Sequence, residues 1–452
     1  MGPDANVGDL IDAAEKLNLQ GHQLADAGDL PAAARCYEES LKVREVLAAY
    51  DRDRYEPAVA SVLVNLGIVK SDLGDAEAAI LSNVRAIELF RKHEKHTPQY
   101  QISRAVALSN LGAVYRERRA WEAAVECYDE AEPVFRKAEQ EVPGRASEQL
   151  AALLNNLGTL QMRQGRYPES LARYGEALAI YQMLSNSAVG KFTADVAMVE
   201  ANLGAVLWTV NRWADARGHL VAAIDRLEPL AKKTPSRFHA EWLRAVNNLG
   251  AVQRALGEFE VARQSFETVL AARSQEARDG GDSISEPVAR RLSSALMNVG
   301  QVSHDLRDLP AARSCFEQAV QVRRQLTLLR PESYGPLLAA GLNSLGMVCS
   351  SQGPNGYDLA RGYLRESVEL YRRFAREAPK VYQPLLARTL SDVGAVEFDA
   401  GQSTVARSHF EESLGIYQEL AAGQPELFKP ELARAMLNFG AVVDEGESLR
   451  LY

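Results

Sequence analysis

Enzymatic chemistry needs convergent titratable groups, a glycine loop that cradles phosphate, or metal ligands at fixed spacing. None of these patterns stands out in the 452 residues: the seven histidines are scattered, no Cys-x-x-Cys occurs, and His304 stands alone as a surface residue rather than a ligand. No catalytic residue, metal or cofactor is therefore expected. The residue that does recur is asparagine. Asn65, Asn110, Asn156, Asn202, Asn248, Asn298 and Asn438 each stand two places before a glycine, with Ser344 and Asp392 as polar substitutes in two further copies. Asparagine inside a helix costs roughly 0.5 kcal/mol relative to alanine, so its recurrence asks for a reason. Such amides could bond a ligand, could bond the neighbouring copy, or could persist from duplication of one unit. A ligand row would be solvated in the free protein, whereas a structural row would already be bonded.

The elements that carry these asparagines form a repeat. Glycines at 21, 67, 112, 158, 204, 250, 300, 346, 394 and 440 mark ten copies of a unit of about 46 residues. The two longer intervals contain turn-rich insertions, at 278–283 and 353–356, which loops absorb. With each glycine as position 0, valine or leucine at +2, a bulky apolar residue at −1 and leucine or valine at −4 describe one face of a helix, helix A. A second helix, B, carries a small residue at +12 (Ala33, Ala79, Ala124, Ser170, Ala216, Ala262, Ala312, Ala360, Ala406) and an aromatic at +16 in many copies (Tyr37, Tyr128, Tyr174, Phe266, Phe316, Phe410). Small residues at facing positions let the two helices approach, with the aromatic filling the gap beside them. Pro57, Pro336, Pro384 and Pro430 suit the first helical position, which places the starts of helix A near 10, 57, 102, 148, 194, 240, 290, 336, 384 and 430. An aromatic at −12 then precedes the N-cap, as a hydrophobic staple requires.

Composition agrees with an all-α, folded chain: 46% of residues are hydrophobic, 25% charged and only 7% aromatic. There is no compositional break, so residues 1–452 read as a single array. A net charge of −9 argues against nucleic acid as a partner, because phosphate binding needs concentrated lysine and arginine. The amino terminus lacks a basic start followed by an apolar stretch, and no segment is long and apolar enough to span a bilayer, so a cytoplasmic location and no membrane contact are expected. Cys36, Cys127 and Cys315 share one position of three different repeats, which keeps them beyond disulfide reach and predicts free thiols.

The glycine at the turn, alanine near +12 and aromatic at +16 resemble the tetratricopeptide repeat family, whose usual unit is about 34 residues. The Pro-x-x-Tyr/Phe-x-Pro-x-Leu-Ala segment before Asn-Leu-Gly, as in Pro425 to Gly440, resembles the extended repeats of large bacterial signalling proteins, and the Asn-Leu-Gly helix is similar to that of kinesin light chains. The resemblance covers essentially the whole chain. It implies a right-handed α-solenoid of antiparallel helix pairs, nine full pairs and a half repeat, that binds proteins or peptides. It also implies that the asparagine position lines the concave face, where peptide-binding members bond the backbone of an extended ligand. By the same analogy the inner face includes positions −6, −3, +1, +4 and +5, hence Arg244, Arg388 and Arg434 at −6, Arg116, Trp208, Arg254 and Phe398 at +4, and Arg163 at +5. Trp208 is the candidate anchor, since interface hot spots favour tryptophan, tyrosine and arginine.

The first copy lacks the triplet, as an atypical capping repeat does. At the other end Met436, Phe439, Val442, Val443, Leu449, Leu451 and Tyr452 keep the sequence apolar, so this end is expected to dock onto a second copy, a partner or a further domain. Two functions fit: a non-enzymatic scaffold holding a protein or extended peptide in its groove, or a ligand-responsive regulatory subunit whose curvature controls an effector such as a protease or transcription regulator. A change in radius of gyration on ligand binding separates them.

Overall fold

The computed structural model describes residues 3–443 apart from 96, 98, 189, 282 and 283, with side chains from residue 7 onward. Among these residues every regular element is helical. Odd-numbered helices below correspond to helix A of the repeat and even-numbered ones to helix B.

Contacts divide the chain into two compact units, Met1–Val252 and Gln253–Tyr452. The first contains the hairpins α1 (Pro3–Asp26) and α2 (Leu30–Tyr50), α3 (Arg52–Asp72) and α4 (Ala76–His93), α5 (Gln99–Glu117) and α6 (Trp121–Glu141), α7 (Ser147–Arg163) and α8 (Tyr167–Ser187), and α9 (Thr193–Thr209) and α10 (Trp213–Lys233). The division falls within α11 (Pro235–Ala255). The second unit holds α12 (Phe259–Asp279), the hairpins α13 (Glu286–Asp305) and α14 (Leu309–Leu329), α15 (Pro331–Ser350) and α16 (Tyr357–Glu377), α17 (Pro379–Asp399) and α18 (Ser403–Gly423), and finally α19 (Pro425–Ala441). Each unit is an α-solenoid of antiparallel helix pairs.

The hairpins follow from local chemistry. The turn between helix A and helix B needs one left-handed residue at +7, supplied by Gly28, Gly74, Gly165, Gly257, Gly353 and Gly401 and, with φ between 60° and 63°, by Arg119, Asn211 and Arg307. In most pairs the next residue caps helix B, and Asp29, Asp75 and Asp308 do so with a side-chain oxygen that accepts the backbone N–H of the third helical residue. Within the pair the +12 alanines are fully buried, and where serine replaces alanine its hydroxyl, Ser170 Oγ, donates to the carbonyl of Gly158 at 2.7 Å. The aromatic at +16 lies directly on the glycine. A Cβ added to Gly112, Gly158, Gly300 or Gly394 would meet the ring of Tyr128, Tyr174, Phe316 or Phe410 at 2.5–2.8 Å. The glycine is therefore kept for close approach rather than for backbone freedom.

Two details differ from the sequence reading. Most later A helices begin several residues earlier than 57, 240, 336, 384 and 430, at Arg52, Pro235, Pro331, Pro379 and Pro425. In α15, α17 and α19 the proline that occupies the first helical turn is the upstream one, and Pro336, Pro384 and Pro430 lie inside their helices, as Pro57 does in α3, which starts at Arg52. A proline there forgoes a single backbone bond close to the helix start, and nearby carbonyls gain side-chain partners: Tyr417 Oη donates to Pro384 O at 3.3 Å and Ser61 Oγ to Pro57 O at 3.0 Å. With the helices starting earlier, the aromatic at −12 lies inside most of them, as Tyr100 and Tyr382 do, and Phe192 is itself the N-cap of α9. In place of a staple, this aromatic packs on an aromatic of the preceding helix B, as in Phe90–Tyr100, Tyr181–Phe192 and Phe374–Tyr382, with ring centroids 5.4–6.1 Å apart.

The same aromatics make the fold sensitive to alkali. Burial pushes the phenol of Tyr37 up to about 12, and Tyr128, Tyr174, Tyr181, Tyr371 and Tyr417 shift in the same direction for the same reason. A folded pKa above the unfolded value means stability fully present below pH ~10 and lost as pH rises through the folded value. Helical circular dichroism and tyrosinate absorbance should therefore change together above pH ~10. Full tyrosine ionisation at intact helicity would contradict this.

Candidate functional site

In the first unit α3, α5, α7 and α9 touch one another in succession, and in the second α13, α15, α17 and α19 do the same. Neighbours that touch define the shorter, inner arc of a stack of hairpins, so helix A lines the inner face of each unit. The residues that stand out on it are exposed and varied at +4: Trp208 is 43% and Phe398 41% exposed. Arg163, Arg388 and Arg434 are exposed as well. Arg434 also bonds Tyr417 and Arg254 is ion-paired with Asp305, so not every guanidinium is equally available.

The seven asparagines of the row are all half-buried. Several already have partners in neighbouring repeats. Asn65 Nδ2 donates to Asn18 Oδ1 at 3.2 Å, and Asn202 Nδ2 donates to Asn155 Oδ1 at 2.9 Å. Asn18 and Asn155 both stand at −3 of the preceding repeat, and the same pairing appears with the donor reversed where Asn343 Nδ2 donates to Asp392 at 2.9 Å. Arginines add a second strand of bonds: Arg116 Nη1 donates to Asn156 Oδ1 at 3.3 Å and Arg244 Nη1 to Asn202 Oδ1 at 3.2 Å. Asn110 Nδ2 is buried without a bond. At Asn65, Asn156 and Asn202 the amides thus tie adjacent A helices together. The −3 asparagines are the partners that the sequence reading overlooked, although the doublets Asn155–Asn156 and Asn247–Asn248 display them.

Electrostatics on this face follow from burial. Burial raises the carboxyl of Asp72, with Glu117 adding to the effect and Arg237 opposing it. Asp392 is likewise raised by burial, against the Asn343 hydrogen bond and the charges of Arg388 and Arg434. Among the described residues no group of three His, Cys, Asp or Glu side chains could hold a metal ion, and all four cysteines are free.

At the carboxyl end, Phe439 packs with Met436, Leu432 and Phe428 against Leu414, Tyr417 and Ala387, and Val443 is buried, so these two side chains serve the core of the second unit. The exposed apolar side chains of α19 are Leu427 and Leu437. Leu449, Leu451 and Tyr452 lie outside the described residues.

Family models of the tetratricopeptide repeat match residues 103–183, 149–229 and 292–327. No curated protein matches the sequence. Among solved structures, RapI in its apo form is similar with a TM-score of 0.55 at 12% identity, covering 81% of this chain and 99% of that one. The signal transduction ATPase with numerous domains and a tetratricopeptide repeat sensor from Pyrococcus horikoshii gives 0.53 at 11% identity, covering 88% of this chain and 55% of that one. At such identities the likeness is one of fold.

Proposed function

From the premise that this chain is a tetratricopeptide repeat protein, we propose that it is a non-enzymatic scaffold whose inner face holds an extended segment of another protein. What supports the reading is the contrast along helix A: from the second copy to the ninth +2 and −4 are buried and, apart from Glu200, apolar, while +4 presents exposed Trp208 and Phe398, and exposed arginines stand at +5 and −6. A large aromatic held in water on a rigid helix gains most when a partner covers it. Of the candidate residues, Trp208 and Arg163 are assigned direct contact on the inner face of the first unit, and Arg388 and Arg434 on that of the second. Asn65, Asn156 and Asn202 are assigned to holding the helices that present them, and Asn110, whose amide donor is buried without a bond, is not assigned to a ligand.

The test is affinity capture from native lysate with the whole chain. Trp208→Ala combined with Arg163→Ala is expected to reduce capture of a specific partner by tenfold or more, with the melting temperature unchanged because both side chains are exposed. Replacing Asn156, Asn202 and Asn248 by alanine is expected to lower stability by about 1 kcal/mol for each inter-repeat bond lost. Capture that survives the Trp208 and Arg163 changes at full strength would remove the inner face from consideration.

A further inference from the structure

Residues far apart in the chain meet within the first unit. Arg237 Nη1, at the start of α11, donates to Asp26 Oδ1 at the end of α1, 3.4 Å away and 211 residues earlier in the chain. The neighbouring turn joins in. Gly28, with φ of 84°, lies so close to Ser236 that an added Cβ would stand 2.7 Å from the Ser236 hydroxyl and 3.3 Å from its Cβ. Of the turn glycines with positive φ at this position of the repeat, Gly74, Gly165, Gly257, Gly353 and Gly401 have open space instead. Gly28 is therefore under a packing constraint that its counterparts escape. The charge of Arg237 also favours the ionised carboxyls of Asp72 and Asp195, against the burial that raises both, so acidic groups of α1, α3 and α9 lie within electrostatic reach of one guanidinium of α11.

With α1 bonded to α3 and α11 to α9, the row of A helices from α1 to α11 comes round so that the end of its first helix meets the start of its last, which completes one turn of the first unit. We propose that the α1–α2 turn is a latch: it docks on the start of α11, closes the inner face of the first unit, and opens reversibly to admit the segment that this face holds. The gating role rests on the proposed function; the latch itself does not. Its strength suits the task. Arg237 and Asp26 remain 52% and 78% exposed, and an exposed pair of this kind holds weakly. Leu24, Ala25 and Leu30 beside the turn pack on the buried cluster of Tyr37, Val62, Leu66 and Val69, so opening is confined to residues 26–29, outside that cluster.

The experiment uses the full chain carrying Gly28→Cys and Ser236→Cys, whose Cβ atoms would lie 3.3 Å apart, so the turn has only to give by a few tenths of an ångström to reach the roughly 3.5–4.5 Å that a disulfide spans. Mild oxidation should form an intramolecular bond seen as a mobility shift on a non-reducing gel, with none in the parent, and hydrogen exchange is then compared between oxidised and reduced forms. Amides of the α1–α2 turn and of the first turn of α11 should exchange at least tenfold more slowly when oxidised. Because Gly28 sits at positive φ, a second pair of variants keeps it: Asp26→Arg should speed exchange of these amides about fivefold, and Asp26→Arg with Arg237→Asp should reverse the change. Failure of the disulfide to form, together with an exchange rate indifferent to Asp26→Arg, would refute the contact. Equal exchange in oxidised and reduced forms would refute opening. Neither readout involves a ligand, so loss of the latch and loss of the groove function are told apart.

Discussion

Phe316→Ala is expected to lower the stability of the second unit by about 3–5 kcal/mol, the largest single effect we anticipate for an apolar side chain. The ring is 1% exposed and lies against Gly300, where an added Cβ would meet it at 2.6 Å. Truncation opens a cavity between α13 and α14, which two rigid helices cannot collapse to fill. Leucine should be tolerated, at a cost below about 1.5 kcal/mol, because Leu220 and Leu364 occupy the matching position on Gly204 and Gly346 and are fully buried there. The reciprocal change makes the argument sharper. Gly300→Ala should destabilise by about 1–3 kcal/mol through overpacking, although alanine in a helix normally gains about 1 kcal/mol over glycine. Gly175, on the open face of α8, should show that ordinary gain. Urea unfolding followed by circular dichroism measures all four variants, and equal behaviour of Gly300→Ala and Gly175→Ala would mean that the ring does not press on the glycine.

That contact was legible in the sequence because both partners recur at fixed spacing within one hairpin. Gly158 and Tyr174, or Gly394 and Phe410, are sixteen residues apart and joined by a short turn, so one spacing predicts one contact. Helix starts were less legible. Two prolines five residues apart, such as Pro379 and Pro384, both suit the first turn of a helix, and only the docking of Tyr382 on Phe374 and of Tyr417 on the Pro384 carbonyl shows that the earlier one begins α17. The periodicity of apolar residues does not register those polar and aromatic bonds.

The inner face was legible as a position and not as a set of partners. Helical spacing puts Trp208 and Phe398 on one face of the repeat, and both are exposed there. The asparagines were harder, since an amide two places before a glycine has the same spacing whether it meets a ligand or the next repeat. The choice depends on the −3, −6 and +4 residues of a neighbouring copy, and those vary. Asn155 receives the bond from Asn202, and Arg244 donates a second one, while Asn110 keeps a buried N–H unbonded. A row uniform in sequence is therefore mixed in role.

Arg361→Leu is expected to destabilise the second unit by about 3–5 kcal/mol, whereas the double variant with Glu397→Leu should return to parental stability or exceed it. Glu397 is 2% exposed on α17 and accepts from Arg361 Nε of α16 at 2.8 Å, with Arg365 farther off at 3.7 Å. Removing Arg361 leaves a carboxylate out of water with one weak partner on the surface, and the desolvation that the close pair had offset becomes the cost. Glu397→Leu alone should cost less, because Arg361 still pairs with exposed Asp358 at 2.9 Å. The apolar solution already exists in the first unit: Leu171 and Leu207 hold the same two places of their repeats, border one cleft, and need no charge. Transplanting that pair by changing both residues replaces an ion pair with packing of known geometry. A double-mutant cycle by urea unfolding at neutral pH should show a coupling of about 2 kcal/mol or more between the two sites. Additive losses would instead mean that Glu397 is stabilised by the rest of its cleft, where Gln402 and Arg365 line the walls, and that the pair with Arg361 is incidental to the joining of these two repeats.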